Sequence, residues 1–542
     1  MSDAGDAEII VAGGGSAGCA MAGRLAAAGV KVLLLEAGKT GEHIRLKIPA
    51  LVSGVVQNTE FDWKYYAEPD PSIGGRSDVW PGGKRLGGGS SINGMLYVRG
   101  HRSDYDGWAE QGARGWAFKD VAPYFKRTET NDRGASAWRG GSGPVGVSDG
   151  RLDYPIIGDW VKAAESAGIE RNPDHNGERP GEGTDFAQNT QKNGMRSPAT
   201  SYLKLPGAPD NLRIELEARV LKILFENGRA VGVEYLQGGE TKRAMARRGV
   251  VLSAGSMNTP RVLMLSGIGP AAQLRGFGIP VLVDAPGVGR NLQEHVGTHL
   301  VNEVNTPTLN GDARGFGLIR HMADFLIRRR GILTTSLGHA QAFISTRPNL
   351  RAPNLQISFT CFAFDLDKEG KLVLRKDNAV STVVCLARPQ SRGTLTLRSA
   401  DPMAPPVINH QLLGVEDDAL QIAEGIEVAR KIMAQPQVAQ YVTSEVRPGK
   451  DVTGEALVGY VHLASIPLYH PVGTCRMGSD AEAVVDPELR VRGVDGLWVC
   501  DNSVMPTLPV GNTNATALMI GDKGSDHVLH ALKNTPMLGA AA

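Results

Sequence analysis

The chain has 542 residues, 42% of them apolar and 21% charged; it is too long for one simple core, so two domains or one large composite domain is expected. A formal net charge of +1 argues against nucleic acid or another polyanion as the main partner. Cys19, Cys361, Cys385, Cys475 and Cys500 are odd in number and form no Cys-x-x-Cys pair, which disfavours a disulfide framework or a zinc site and fits a reducing compartment.

The opening segment MSDAGDAE is acidic and polar, unlike a secretory signal, and no apolar run is long enough to cross a bilayer. A cytoplasmic location is the expectation. EIIVAGGGSAGCAMAGRLAAAGVKVLLLEAG then predicts a strand at Ile9–Ala12, a helix over Ala17–Ala28 ended by Gly29, and a strand at Val32–Leu35. Gly13, Gly15 and Gly18 have the G-x-G-x-x-G spacing, and Glu36 closes the second strand. Such glycines let backbone approach a pyrophosphate at a helix N-terminus, and such an acid accepts from a ribose hydroxyl. The pattern predicts a dinucleotide site, with NAD and FAD both open, and Glu36 disfavours a 2′-phosphate.

Pro81–Gly100 (PGGKRLGGGSSINGMLYVRG) follows a Pro/Gly-rich loop, Glu60–Gly83, that contains Trp63. Gly87, Gly88 and Gly89, then Ser90, Ser91 and Asn93, form either a tight turn or a bare segment offering N–H groups to a ring or phosphate. After RGVVLSA, the segment Gly255–Gly269 reads as a second strand-to-helix crossover, with Pro260 near the helix start. NLQISFTCFAFD and GTLTLRS predict an antiparallel sheet with one buried face, and DDALQIAEGIEVARKIM a helix across its back. Arg328, Arg329 and Arg330 read as a solvated helix end in preference to a cluster that attracts an acidic partner or lipid headgroups.

Several of these segments, in order, resemble the signatures of the glucose–methanol–choline (GMC) family of FAD-dependent oxidoreductases. They are the glycine triplet, Pro81–Gly100, Gly255–Gly269, NLQEH at Asn291–His295, PQSRGTLTLRSADP, HPVGTCRMG and DNSVMPTLPVGNTNATALMIGDKGSD. Within the family the resemblance is to the choline-dehydrogenase-like and hydroxymethylfurfural-oxidase-like bacterial branch. It implies FAD as cofactor, with its pyrophosphate held by Gly13, Gly14, Gly15, Ser16 and Gly18 and its ribose by Glu36. It places Gly87, Gly89, Ser90, Asn93, Gly94 and Met95 along the cofactor, Val220 at the adenine, Trp63 in a lid, and Asp501, Asn502, Thr513 and Asn514 at the C-terminal side. Some members attach FAD to a histidine just before the matching asparagine; Ile92 stands there, so non-covalent FAD is expected.

The reaction implied is oxidation of an alcohol to an aldehyde or ketone, with hydride passing to flavin N5. Removing the hydroxyl proton calls for a base titrating near working pH, and imidazole suits. The resemblance assigns that base to His470 and the second catalytic position to Asn512, whose amide can donate to the substrate oxygen. His101 and His295 are expected to be hydrogen-bonded scaffold. The fold class implied is α/β with α+β: a Rossmann-like FAD domain over 1–155, 205–300 and 458–542, and a substrate domain over 156–204 and 301–457, its antiparallel sheet backed by helices. Phe359, Phe362, Phe364, Tyr469 and His339 are candidate pocket residues; strand alternation puts Phe362 and Phe364 opposite Phe359. A quaternary-ammonium substrate would call for a carboxylate or an aromatic cage, and Asp312 and Asp324 are the only acids in Pro307–Gln341. O₂ and a quinone-type acceptor both remain open, as does a same-scaffold lyase that uses His470 with a structural flavin.

Overall fold

Ile9–Ala12 and Val32–Leu35 pair in parallel at the centre of a five-stranded sheet. Both are buried throughout, which explains why neither shows the alternation of a strand with one wet face. The sheet runs Leu212–Glu215, Val32–Leu35, Ile9–Ala12, Gly249–Leu252, Leu497–Val499. In this computed structural model residues 7–366 and 372–534 are described; the acidic residues 1–6 and the last residues of the expected 458–542 segment lie outside the described residues.

The first helix is Ser16–Ala27, one residue earlier than predicted, with Gly15 as N-cap and Gly29 at φ 88° beyond its end. A Cβ on Gly18 would stand 1.9 Å from the Gly13 carbonyl oxygen, so this glycine sets how closely helix and strand pack. The C-terminal helix Asn514–Asn534 lies against the first helix. Between them the fully buried Asp522 accepts from Arg24 Nε at 2.8 Å, from Tyr202 OH at 2.8 Å and from Arg127 Nε.

The second sheet is antiparallel and seven-stranded. Its path is Val442–Arg447, Val296–Val304, Ala379–Leu386, Leu355–Thr360, Ala340–Ile344, Gly183–Phe186, with Ile466–Pro467 also on Val296–Val304. The helix Glu416–Met433 puts seven residues, among them Ile422, Ile426, Ala429 and Ile432, in the same apolar core as Leu355, Ile357 and Val384. The strand Val296–Val304 runs across the expected 300/301 boundary, and Leu457 and Val461 belong to this second core.

Two sequence expectations change here. GTLTLRS does not join the large sheet: Thr394–Thr396 pairs only with Val407–Asn409, and Leu395 and Leu397 pack into the core around the parallel sheet. The strand through Phe359 ends at Thr360, and Phe364 begins another strand, so the alternation argument does not carry across Cys361–Ala363.

Candidate active site

A cavity of about 1470 Å³ lies between the two sheets. Sites for one small molecule run to roughly 300–1,000 Å³, so this one has room for a dinucleotide and a substrate. At the parallel-sheet end its wall is largely backbone: Gly13, Gly15, Ser16, Gly88 and Gly89 line it. A Cβ on Gly15 would have only the Ser253 oxygen, at 3.9 Å, within reach, so the space in front of it is open. The first helix has no acid in its first turn and no side-chain cap, which leaves its N–H groups for an anion. Ser16 Oγ donates to Asn514 Oδ1 at 2.8 Å, joining the starts of the first and last helices.

Glu36 lines the same end. Its carboxylate accepts from Gly14 N at 2.9 Å and Gly38 N at 2.7 Å, while burial pushes its pKa up to about 7. Asn502 Oδ1 and Asn258 Oδ1 are buried on lining residues and have no hydrogen-bond partner among the described residues. Unsatisfied buried acceptors call for a polar ligand. Bare backbone, helix N-termini, an acid and orphaned amides together fit FAD. Trp63, Val220, Asn93, Gly94, Met95, Asp501, Thr513 and Asn514 also line the cavity. Trp63 lies beneath Lys84 and Arg219, at 5.0 and 5.2 Å from its ring.

Four predicted cofactor residues serve the frame instead of facing the cavity. Gly14 gives its N–H to Glu36, and Gly18 packs on Gly13. Gly87 donates its N–H to the Gly14 oxygen at 2.7 Å, and Ser90 Oγ donates to the Gly87 oxygen while accepting from Ala199 N.

At the other end stand His470 and Asn512. Tyr469 at φ 68° turns the chain so that the His470 N–H meets both Glu294 oxygens, at 2.6 and 2.9 Å. His295 Nε2 lies 3.0 Å from the Ala387 carbonyl, and His295 Nδ1 lies 2.9 Å from His470 Nδ1. A carbonyl can only accept, so the His295 proton sits on Nε2 and its Nδ1 is an acceptor. His470 must then carry its own proton on Nδ1, which makes its Nε2 an acceptor. Asn512 Nδ2 donates to that Nε2 at 3.2 Å, and Asn512 Oδ1 accepts from Gln356 Nε2 at 3.4 Å, so the amide presents its donor end. Burial, then the neighbouring His295, holds His470 well below the ordinary imidazole range, and burial lowers His295 to about 4. Both rings are neutral at working pH. The arrangement is a base and a fixed donor at one point on the cavity wall.

Tyr469, Phe362 and Phe364 line the cavity. Phe359 does not: it is fully buried and stacked on Trp160, centroids 5.4 Å apart. His339 is likewise internal, accepting from Cys361 N at 2.9 Å and meeting Thr335 Oγ1 at 2.8 Å. His101 caps the helix Arg102–Glu110. His295 is more than the scaffold expected of it, since it touches the candidate base. NLQEH stood out in the sequence, but nothing local tied it to residue 470. Gln356, Thr298, His299 and Arg447, which also line the cavity, carried no sequence signal.

The GMC oxidoreductase family models match residues 7–297 and 389–521. The chain is 40% identical over 530 residues to an oxygen-dependent choline dehydrogenase of Brucella suis, covering 97% of this chain and 96% of that protein. It is 39% identical to the protein of the same name from Sinorhizobium medicae over 531 residues, 96% and 95% covered. Among solved structures it is similar to pyridoxine 4-oxidase from Mesorbium loti, with 26% identity, TM-score 0.87, and 97% and 99% covered. An Aspergillus oryzae formate oxidase variant matches with 26% identity, TM-score 0.90, and 97% and 98% covered.

Proposed function

Because this chain belongs to the GMC oxidoreductase family, and is therefore an FAD-dependent oxidoreductase acting on CH–OH groups, we propose that it oxidises an uncharged or anionic alcohol to the carbonyl compound with His470 as the base. FAD, when bound, supplies the two-electron acceptor for the hydride of the carbinol carbon. His470 Nε2 takes the hydroxyl proton. Asn512 Nδ2 donates to the oxygen on which negative charge grows. As His470 becomes an imidazolium, its Nδ1–H keeps donating to Nδ1 of His295, whose Nε2–H donates to the Ala387 carbonyl; the ring keeps its partner during proton transfer. Ile92 offers no atom for a covalent link, so the cofactor is held non-covalently. The carrying observation is the pairing of His470 Nε2 with the Asn512 amide on the cavity wall, behind which His295 and the Ala387 carbonyl fix the ring; a substrate hydroxyl would take the place of their mutual contact.

The charge of the cavity supports the substrate class. Glu36 and Asp501 are its carboxylates among the described residues, and both are engaged by backbone N–H groups at the dinucleotide end. Towards the antiparallel sheet it is lined by Thr298, His299, Ser358, Thr360, Ser381 and the guanidinium of Arg447. Arg447 donates to the Phe364 carbonyl and, among the described residues, meets one carboxylate, Asp365, at 3.5 Å. Phe362, Phe364 and Tyr469 offer aromatic faces, but a cation among them would also meet that guanidinium. A quaternary-ammonium alcohol is therefore disfavoured, although relatives are named for choline.

The test is anaerobic addition of neutral, carboxylate-bearing and quaternary-ammonium alcohols while the flavin absorbance is followed. Bleaching by the first two classes, lost in His470→Ala with FAD still bound, is expected. No bleaching by any alcohol would overturn the redox reading, and bleaching by choline alone would overturn the substrate class. Oxygen consumption against dye reduction then distinguishes O₂ from a quinone-type carrier as the acceptor.

A further inference from the structure

The helix Gly315–Arg328 buries only Phe325 fully. Phe316, Ile319, Leu326 and Ile327 are 82, 64, 70 and 81% exposed, and Met322 is 48% exposed. At 100° per residue these side chains, with Ala323, share an arc of roughly 140°. Single exposed apolar residues are ordinary, but a continuous stripe of this kind is not. The chain around it is basic: Arg314, Arg320, Arg328, Arg329 and Arg330 stand against Asp312 and Asp324. Their ion pairs are loose: Arg320–Asp312 3.5 Å, Arg328–Asp324 3.8 Å and Arg330–Asp153 3.5 Å. No described helix is long and apolar enough to cross a membrane.

We propose that Gly315–Arg328 is a membrane-docking face that lies in the interface of an anionic bilayer, its apolar stripe among the acyl chains and its arginines at the headgroup phosphates. Several observations single out a lipid surface. Phe316, Ile319, Leu326 and Ile327 stand well out into solvent, at 64–82% exposed. A second copy would bring five arginines against five, a like-charge contact that costs affinity. An amphipathic helix with arginines beside and beyond its apolar face is the form that binds anionic lipid, through buried apolar area and headgroup attraction together. Its 14 residues, about 21 Å of helix, suit lying on a membrane and are too short to span one.

The test is flotation of the FAD-loaded enzyme with vesicles of phosphatidylcholine alone or mixed with phosphatidylglycerol. The enzyme is expected to float with the anionic vesicles and to be released by salt. Phe316→Glu/Leu326→Glu should cut the vesicle-bound fraction about 10-fold or more, with FAD content and dye-linked alcohol turnover unchanged. Arg328→Glu/Arg329→Glu/Arg330→Glu should lower binding to the anionic vesicles only. The proposal is overturned if the wild type does not float, if it floats equally with both vesicles, or if the apolar double variant floats like the wild type. Sedimentation showing a wild-type dimer that this double variant turns into a monomer would likewise overturn it, in favour of a second copy as the occupant.

Discussion

The two ends of the cavity are built from different materials. The dinucleotide end is made of backbone and helix starts, positioned by Gly13, Gly15 and Gly18 within six residues of chain. The opposite end is made of side chains drawn from separate strands and loops: Thr298 and His299, Gln356 and Ser358, Ser381, Arg447, His470 and Asn512. Backbone recognition survives most side-chain changes, whereas side-chain recognition changes with each substitution. Substitutions at the first end should therefore be all-or-none, and those at the second graded.

The largest effect is expected from Gly15→Leu. At φ −75° any residue is tolerated there, and its side chain would enter the cavity. The protein should fold with a native circular dichroism spectrum yet purify colourless; Gly18→Ala, which forces a Cβ onto the Gly13 oxygen, should instead fail to fold. Retention of FAD by the leucine variant would break the contrast. Next, His470→Ala should keep FAD and slow flavin reduction by about 10²-fold or more in single-turnover kinetics.

His295→Leu should cost less, about 10-fold in kcat/KM, and His295→Gln, which restores an acceptor, should recover most of it. Its signature lies in the pH profile. His470 titrates below 6.5, so the wild-type rate should be flat through neutral pH and fall only as the pH drops below that value. Losing His295 removes both a neighbour that lowers His470 and the acceptor of its Nδ1–H, and should displace the acid limb. A purely structural His295 would lower the rate and leave the limb in place. The smallest effect is expected for Arg447→Met: a several-fold loss of preference for a carboxylate-bearing alcohol over choline, read from the ratio of the two kcat/KM values.

The same contrast explains how much was legible in the sequence. The strands Ile9–Ala12 and Val32–Leu35 and the helix between them were readable to within a residue, because propensity, glycine spacing and burial agree over a short stretch. The long helix Glu416–Met433 was readable from its period. Phe359 was misplaced because its aromatic neighbours looked like one strand, while the chain turns after Thr360 and sends Phe359 against Trp160, 199 positions earlier. The contact between His295 and His470 joins residues 175 positions apart, and no local pattern encodes it. His470 and Asn512 could be singled out only through the resemblance of their segments to a known family.

One consequence follows from the bond between Ser16 and Asn514. These residues flank the pyrophosphate cradle and are separated by nearly the whole length of the polypeptide. A nascent chain on the ribosome thus carries its glycine loop long before the residue that completes the cradle has been synthesised. The bond that joins the two helix starts can therefore form only after translation has passed residue 514.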